Sequence, residues 1–124
     1  MSKSTVILDT SCWIEFFLGS GRAASYAHHV GTSTVIVPSL CLFEVVRTLL
    51  KNFDNEHVLQ AISVMQQQTV IPLTEAVAIS AAQLAVNLNL STADAVVYAT
   101  AQLHHATLIT HDTDLLGFAE VSIV

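Results

Sequence analysis

Short aliphatic and β-branched runs recur along the chain at residues 5–8, 34–37, 70–73, 107–110 and 121–124, separated by longer stretches of helical character. A half-exposed strand alternates apolar and polar positions. These runs are almost continuously apolar, which predicts strands covered on both faces. Between them, the spacing predicts helices over 11–18, 22–30, 39–53, 55–67, 74–87 and 92–105. Along the fifth of these and the residue after it, Val77, Ala81, Leu84, Ala85 and Leu88 fall on one face among good helix formers. Strands that alternate with helices imply crossover connections and a parallel sheet between helical layers. The expected fold class is therefore α/β, a three-layer α/β/α sandwich with a central parallel sheet, built as a single domain over 1–124. No internal repeat, linker or low-complexity tract interrupts it.

Composition sharpens this picture. The chain is 52% hydrophobic and 11% charged, far from the signature of disorder. Its longest uncharged stretches, 57–74 and 76–93, are interrupted by glutamines, asparagines and Pro72, so neither reads as a membrane span. The N-terminal apolar run is too short for a signal peptide, and a cytoplasmic location is expected. Cys12 and Cys41 lack metal-ligand spacing and read as reduced, buried thiols. Net charge is −6, with only Lys3, Arg22, Arg47 and Lys51 positive, which opposes nucleic-acid binding through a broad basic patch.

The acids are more informative. In an open parallel sheet, ligands bind outside the carboxyl ends of the strands. Asp9 follows the first run and Asp112 the fourth, with Asp114 two residues on. Asp94 opens a helix in Ser91-Thr-Ala-Asp94, and Glu44 lies in the helix after the second run. Singly, each has an ordinary use: Asp9 as an N-cap, Ser91 to Asp94 as a capping box, Asp112 and Asp114 as turn residues, and Glu44 with Arg47 and Lys51 as a solvated stripe. Jointly, they sit where a doubly wound sheet brings its strand ends together. Two carboxylates about 4 Å apart repel by roughly 4 kcal/mol at an effective dielectric near 20, so such a cluster needs protons or cations. An all-oxygen ligand set suits a hard ion, Mg2+ or Mn2+.

Four segments together resemble the PIN domain family, in particular its short VapC-like toxins: Val6-Ile-Leu-Asp-Thr-Ser11, Pro38-Ser-Leu-Cys-Leu-Phe-Glu-Val-Val-Arg47, Thr92-Ala-Asp-Ala-Val-Val-Tyr-Ala-Thr-Ala101 and Leu108-Ile-Thr-His-Asp-Thr-Asp-Leu115. The resemblance implies a Mg2+- or Mn2+-dependent endoribonuclease, usually a homodimer, neutralised by a small VapB-like antitoxin. It assigns Asp9, Glu44, Asp94 and Asp112 to the catalytic and metal-binding acids and Asp114 to a further, variable metal ligand. Ser11 and Thr110 match the small hydroxyl residues that support the acids. Leu115 departs from the pattern, where many members carry phenylalanine. Metal-activated water would then attack an RNA phosphodiester in line, leaving 5′-phosphate and 3′-hydroxyl ends. Two divalent ions would add positive charge where the phosphate must sit, and Arg47 and Lys51 are candidate RNA contacts, with a Glu44 ion pair as the other use of Arg47.

Other residues carry less. Adjacent histidines on a helix point apart, so neither His28-His29 nor His104-His105 reads as a chelating pair. His111 has two readings, a contact to RNA or to a ligand residue and a solvated loop histidine; the second is the commoner. Trp13, Phe16 and Phe17 read as core, or as dimer or antitoxin surface, rather than as a base-stacking platform. An aspartyl phosphatase would want an acid where Ser11 stands, and a receiver domain a lysine after a late strand, where none occurs beyond Lys51. The alternative of a different class is a catalytically inactive PIN-like module that binds protein or RNA.

Overall fold

The computed structural model describes residues 4–124; Lys3, one of the four cations, lies outside them. In chain order the elements are β1 (Thr5–Leu8), α1 (Thr10–Leu18), α2 (His29–Thr32), β2 (Thr34–Pro38), α3 (Ser39–Asn52), α4 (Asn55–Gln66), β3 (Thr69–Ile71), α5 (Glu75–Leu88), α6 (Thr92–Leu103), β4 (Thr107–Thr110) and β5 (Val121–Ile123), with 3-10 turns at Gly21–Ser25 and Thr113–Leu115. The strands form one five-stranded sheet in the order β3-β2-β1-β4-β5. Every pairing is parallel; Val6 lies between Val35 of β2 and Thr107 of β4.

Alternation along β1 shows how the layers form. Val6 and Leu8 face a cluster with Trp13, Val45, Leu49, Val58 and Met65 from α1, α3 and α4. Ile7, between them, faces the other way, onto Val97 and Tyr98 of α6 and Leu115 of the turn after β4. Continuous apolarity in β1, β2 and β4 thus serves two cores at once. The outer strands β3 and β5 are only partly buried, because each has a neighbour on one side alone. Helix α6 is buried from Ala95 to Ala101, and α5 packs over it through Val77 and Ala81. Leu115 is fully buried, so the aliphatic side chain at that position fills the core.

One predicted helix is corrected. Residues 22–30 form a 3-10 turn followed by the kinked α2, in which Val30 has ψ 109° and Gly31 φ 101°. The helical spacing is overridden because Tyr26 turns inward and is fully buried. Helix α6 also ends earlier than its pattern predicts, at Leu103, where His105 adopts φ 52° and the chain reverses into β4.

Cys12 and Cys41 are buried and unpaired. Burial pushes the Cys12 thiol up to about 12 and raises that of Cys41 as well, so both stay protonated. Trp13 is fully buried, while Phe16 and Phe17 are half-buried and line a pocket of about 230 Å3 with Phe53 and Ala61. Among the described residues, no single helix is long and apolar enough to cross a membrane.

Leu108 is fully buried in β4 at the centre of the second core. Leu108→Ala is expected to cost about 2–5 kcal/mol of unfolding free energy, while Val86→Ala, at an 82% exposed position, stays within about 0.5 kcal/mol. Urea unfolding of the two variants checks this.

Candidate functional site

Adjacent parallel strands end at the same edge, so β1 and β4 deliver their following residues side by side. Asp9 is the N-cap of α1: its Oδ1 accepts from the Thr10 amide at 2.8 Å, while its own amide donates to the Ile109 carbonyl at 2.9 Å. Thr110, buried at the end of β4, donates its hydroxyl to Asp9 Oδ2 at 2.9 Å. The same hydroxyl oxygen accepts from the Asp112 amide at 2.9 Å. Asp112 Oδ1 then accepts from the Asp114 amide at 2.9 Å and caps the Thr113–Leu115 turn.

Two helices complete the cleft. Glu44 reaches in from α3, where its Oε1 accepts from the Thr10 hydroxyl at 2.8 Å. Asp94 enters on the first turn of α6, its amide donating to Ser91 Oγ at 3.3 Å. Asp9, Thr10, Ser11, Glu44, Asp94, His111 and Asp112 line one open cleft of about 460 Å3. Asp94, Asp112 and Asp114 each present a carboxylate oxygen, all within 4.8 Å of one another.

Electrostatics reflect that crowding. The Asp94 carboxyl is pushed up to about 7, first by loss of water and then by its hydrogen bond to Asp112 and the charges of Asp112 and Asp9. Asp9 is also raised, chiefly by burial, although Thr10 and Thr110 pull it down. Among the described residues the only ion pair joins His57 to Asp54, so no side-chain cation neutralises the cleft. The acids therefore share protons or attract a cation, and an oxygen-only set at this spacing fits a hard divalent ion.

All four strand-end and helix acids named from the sequence line this cleft, and Asp114 joins Asp94 and Asp112. Ser11 lines the cleft but is exposed, and the hydroxyl that bonds an acid in α1 is that of Thr10. Sequence reasoning missed Thr10; its signal is its place directly after the strand-end acid, where an inward hydroxyl reaches the next helix. Arg47 does not pair with Glu44. Its guanidinium lies over the Phe43 ring, 5.1 Å from the centroid, and with Lys51 it lines a separate surface of α3. His111 is half-buried with both ring nitrogens engaged, by Tyr26 and Val124, which corrects the reading of a solvated loop histidine.

Comparison with known proteins adds an independent view. The PIN domain family profile matches residues 6–123. No curated protein sequence matches the chain. Among solved structures, a toxin-antitoxin complex from Klebsiella pneumoniae contains a chain 24% identical to this one, with a TM-score of 0.82 over 94% of this chain and 95% of that one. VapC20 of Mycobacterium tuberculosis, a toxin that cleaves the sarcin-ricin loop, is 19% identical with a TM-score of 0.73, over 94% and 98%. FitAcB from Neisseria gonorrhoeae is 22% identical with a TM-score of 0.72, over 95% of each chain. At these identities the likeness is one of fold.

A raised carboxyl has a definite consequence for stability. The folded chain holds a proton on Asp94 that the unfolded chain releases near pH 4, so stability in EDTA falls as pH rises from about 4 through about 7. Asp94→Asn removes the titrating group and flattens this dependence, leaving the variant relatively more stable at pH 8 than at pH 5. Urea midpoints at the two pH values, for both proteins, measure the difference.

Proposed function

Because the chain belongs to the PIN domain family, we propose that it is a metal-dependent endoribonuclease, the VapC-like toxin of a toxin-antitoxin pair. The observation that carries this reading is the convergence of carboxylate oxygens from Asp94, Asp112 and Asp114 within 4.8 Å, in a cleft also lined by Asp9 and Glu44. Mg2+ or Mn2+ would be held by Asp9, Asp94, Asp112 and Asp114, with Glu44 as a ligand or as the group that positions water. When bound, such an ion supplies charge for the phosphate and lowers the pKa of water.

The chain's own groups do the positioning. Thr10 and Thr110 hold the two oxygens of Asp9 in fixed directions. Thr10 fixes Glu44 by Oε1, and Oε2 has no protein donor among the described residues, so it is available to accept from a water. Asp94 holds its proton against Asp112, and a cation would compete with that proton, so ion binding would tighten as pH rises. No nucleophilic side chain is required, and both thiols stay protonated in the core.

RNA is the substrate class this reading assigns. With a net charge of −6, the chain offers few phosphate contacts of its own; Arg47 and Lys51, exposed on α3, are the candidates, giving modest affinity and a shallow salt dependence. Selectivity then falls to the shape of a short single-stranded segment. Toxin-antitoxin complexes among the structural neighbours support a small antitoxin as partner; a homodimer is the assembly proposed on the family resemblance alone.

Purified protein free of partner is expected to cut cellular RNA with Mg2+ or Mn2+ and to be silent in EDTA, leaving 5′-phosphate and 3′-hydroxyl ends. Asp9→Asn should lower the rate by about 100-fold or more, since even outer-shell losses reach that scale. Equal behaviour of a folded Asp9→Asn variant, or cleavage that ignores EDTA, would overturn the assignment in favour of an inactive binding module or another chemistry.

A further inference from the structure

The loop that carries Asp112 and Asp114 is held by a residue that is not an acid. His111 Nδ1 lies 2.8 Å from the main-chain oxygen of Val124, and its Nε2 lies 2.9 Å from the Tyr26 hydroxyl. The main-chain oxygen of Val124 only accepts, so Nδ1 carries the hydrogen. In the neutral ring Nε2 is then the acceptor, and the Tyr26 O–H donates to it. Tyr26 is anchored by full burial in the core formed with α1 and α3, and burial raises its phenol so that it keeps the proton it donates. The Val124 amide donates to the Thr110 carbonyl at 2.9 Å, which closes the brace back onto the strand whose hydroxyl serves Asp9 and Asp112. Three segments far apart in sequence therefore meet at one imidazole beside the cleft.

We propose that His111 is a positioning residue for the acidic centre: through Tyr26 and Val124 it fixes the 110–114 loop so that Asp112 and Asp114 stay within chelating distance of Asp94. The proposal rests on the metal-dependent reading above. Its physical need is plain, because carboxylates this close repel one another before an ion arrives; apart from the bond with Asp94 and the Thr110 hydroxyl, the hydrogen bonds of Asp112 run within its own loop. A loop held in place against that repulsion loses less order on binding, and the ion is bound more tightly.

Full-length protein, with Tyr26→Phe, His111→Phe and His111→Asn variants, tests this by calorimetric Mn2+ titration, thermal melting in EDTA and 1H–15N correlation spectra of the imidazole. The wild-type spectrum should show the Nδ1–H tautomer. Tyr26→Phe and His111→Phe should each weaken Mn2+ binding about tenfold in folded protein, and together by no more than either alone. His111→Asn, whose amide keeps a donor toward Val124, should recover part of the loss. A merely structural brace would lower the melting temperature and leave the Mn2+ constant of the folded variants at the wild-type value; that result, or an Nε2–H tautomer, overturns the proposal. Failure of the wild type itself to bind Mn2+ overturns the metal-dependent reading and this one with it, an outcome distinct from variants that bind as the wild type does.

Discussion

One hydroxyl ties the two halves of the acidic cleft together. Thr110 Oγ1 donates to Asp9 at the end of β1 and accepts from the amide of Asp112 beyond β4. A buried hydroxyl that both donates and accepts leaves little freedom to either partner, and loss of one partner costs about 1–3 kcal/mol when a polar group is left unmet. The strand pairing sets the distance; the hydroxyl sets the orientation. Glu44 and Asp94 then need only arrive from their helices at a rim already built.

Charge works against that arrangement, and the architecture offsets part of the cost. Asp9 caps α1 and Asp94 lies in the first turn of α6, both at the positive ends of helices. Helix α6 is itself immobilised by burial along most of its length, so the rise in the Asp94 carboxyl is not relieved by letting the helix drift. Rigid elements thus hold a repulsive cluster in place, which is how a protein of net charge −6 keeps a cleft suited to a cation. Crowded carboxyls with shifted protonation, held in a cleft by packing elsewhere, are the kind of cluster from which functional sites are built.

Much of this was legible along the chain. The central strands announced themselves because burial on both faces demands continuous apolarity, and β1 shows the reason: Val6 and Leu8 serve one core and Ile7 the other. The acids could be grouped because strand ends of a parallel sheet share an edge. Residues 22–30 misled, since their helical spacing carries no trace of the core that buries Tyr26 or of its hydroxyl's bond to His111, 85 residues away. Arg47 misled in a similar way: its spacing from Glu44 allows an ion pair, yet the Phe43 ring one turn back provides the surface it covers.

By itself, the sequence determined the strand and helix alternation, the parallel sheet it implies, and which acids follow the strands, because these depend on local periodicity and on chain order. Tertiary structure alone decided that Thr10 rather than Ser11 supports Glu44, that Asp114 joins Asp94 and Asp112, and that His111 is braced instead of solvated. Each of those outcomes turns on a hydrogen bond or a carboxylate spacing set by the docking of separate elements. Local pattern specifies the elements; only their packing specifies which polar atoms come within about 3 Å of one another.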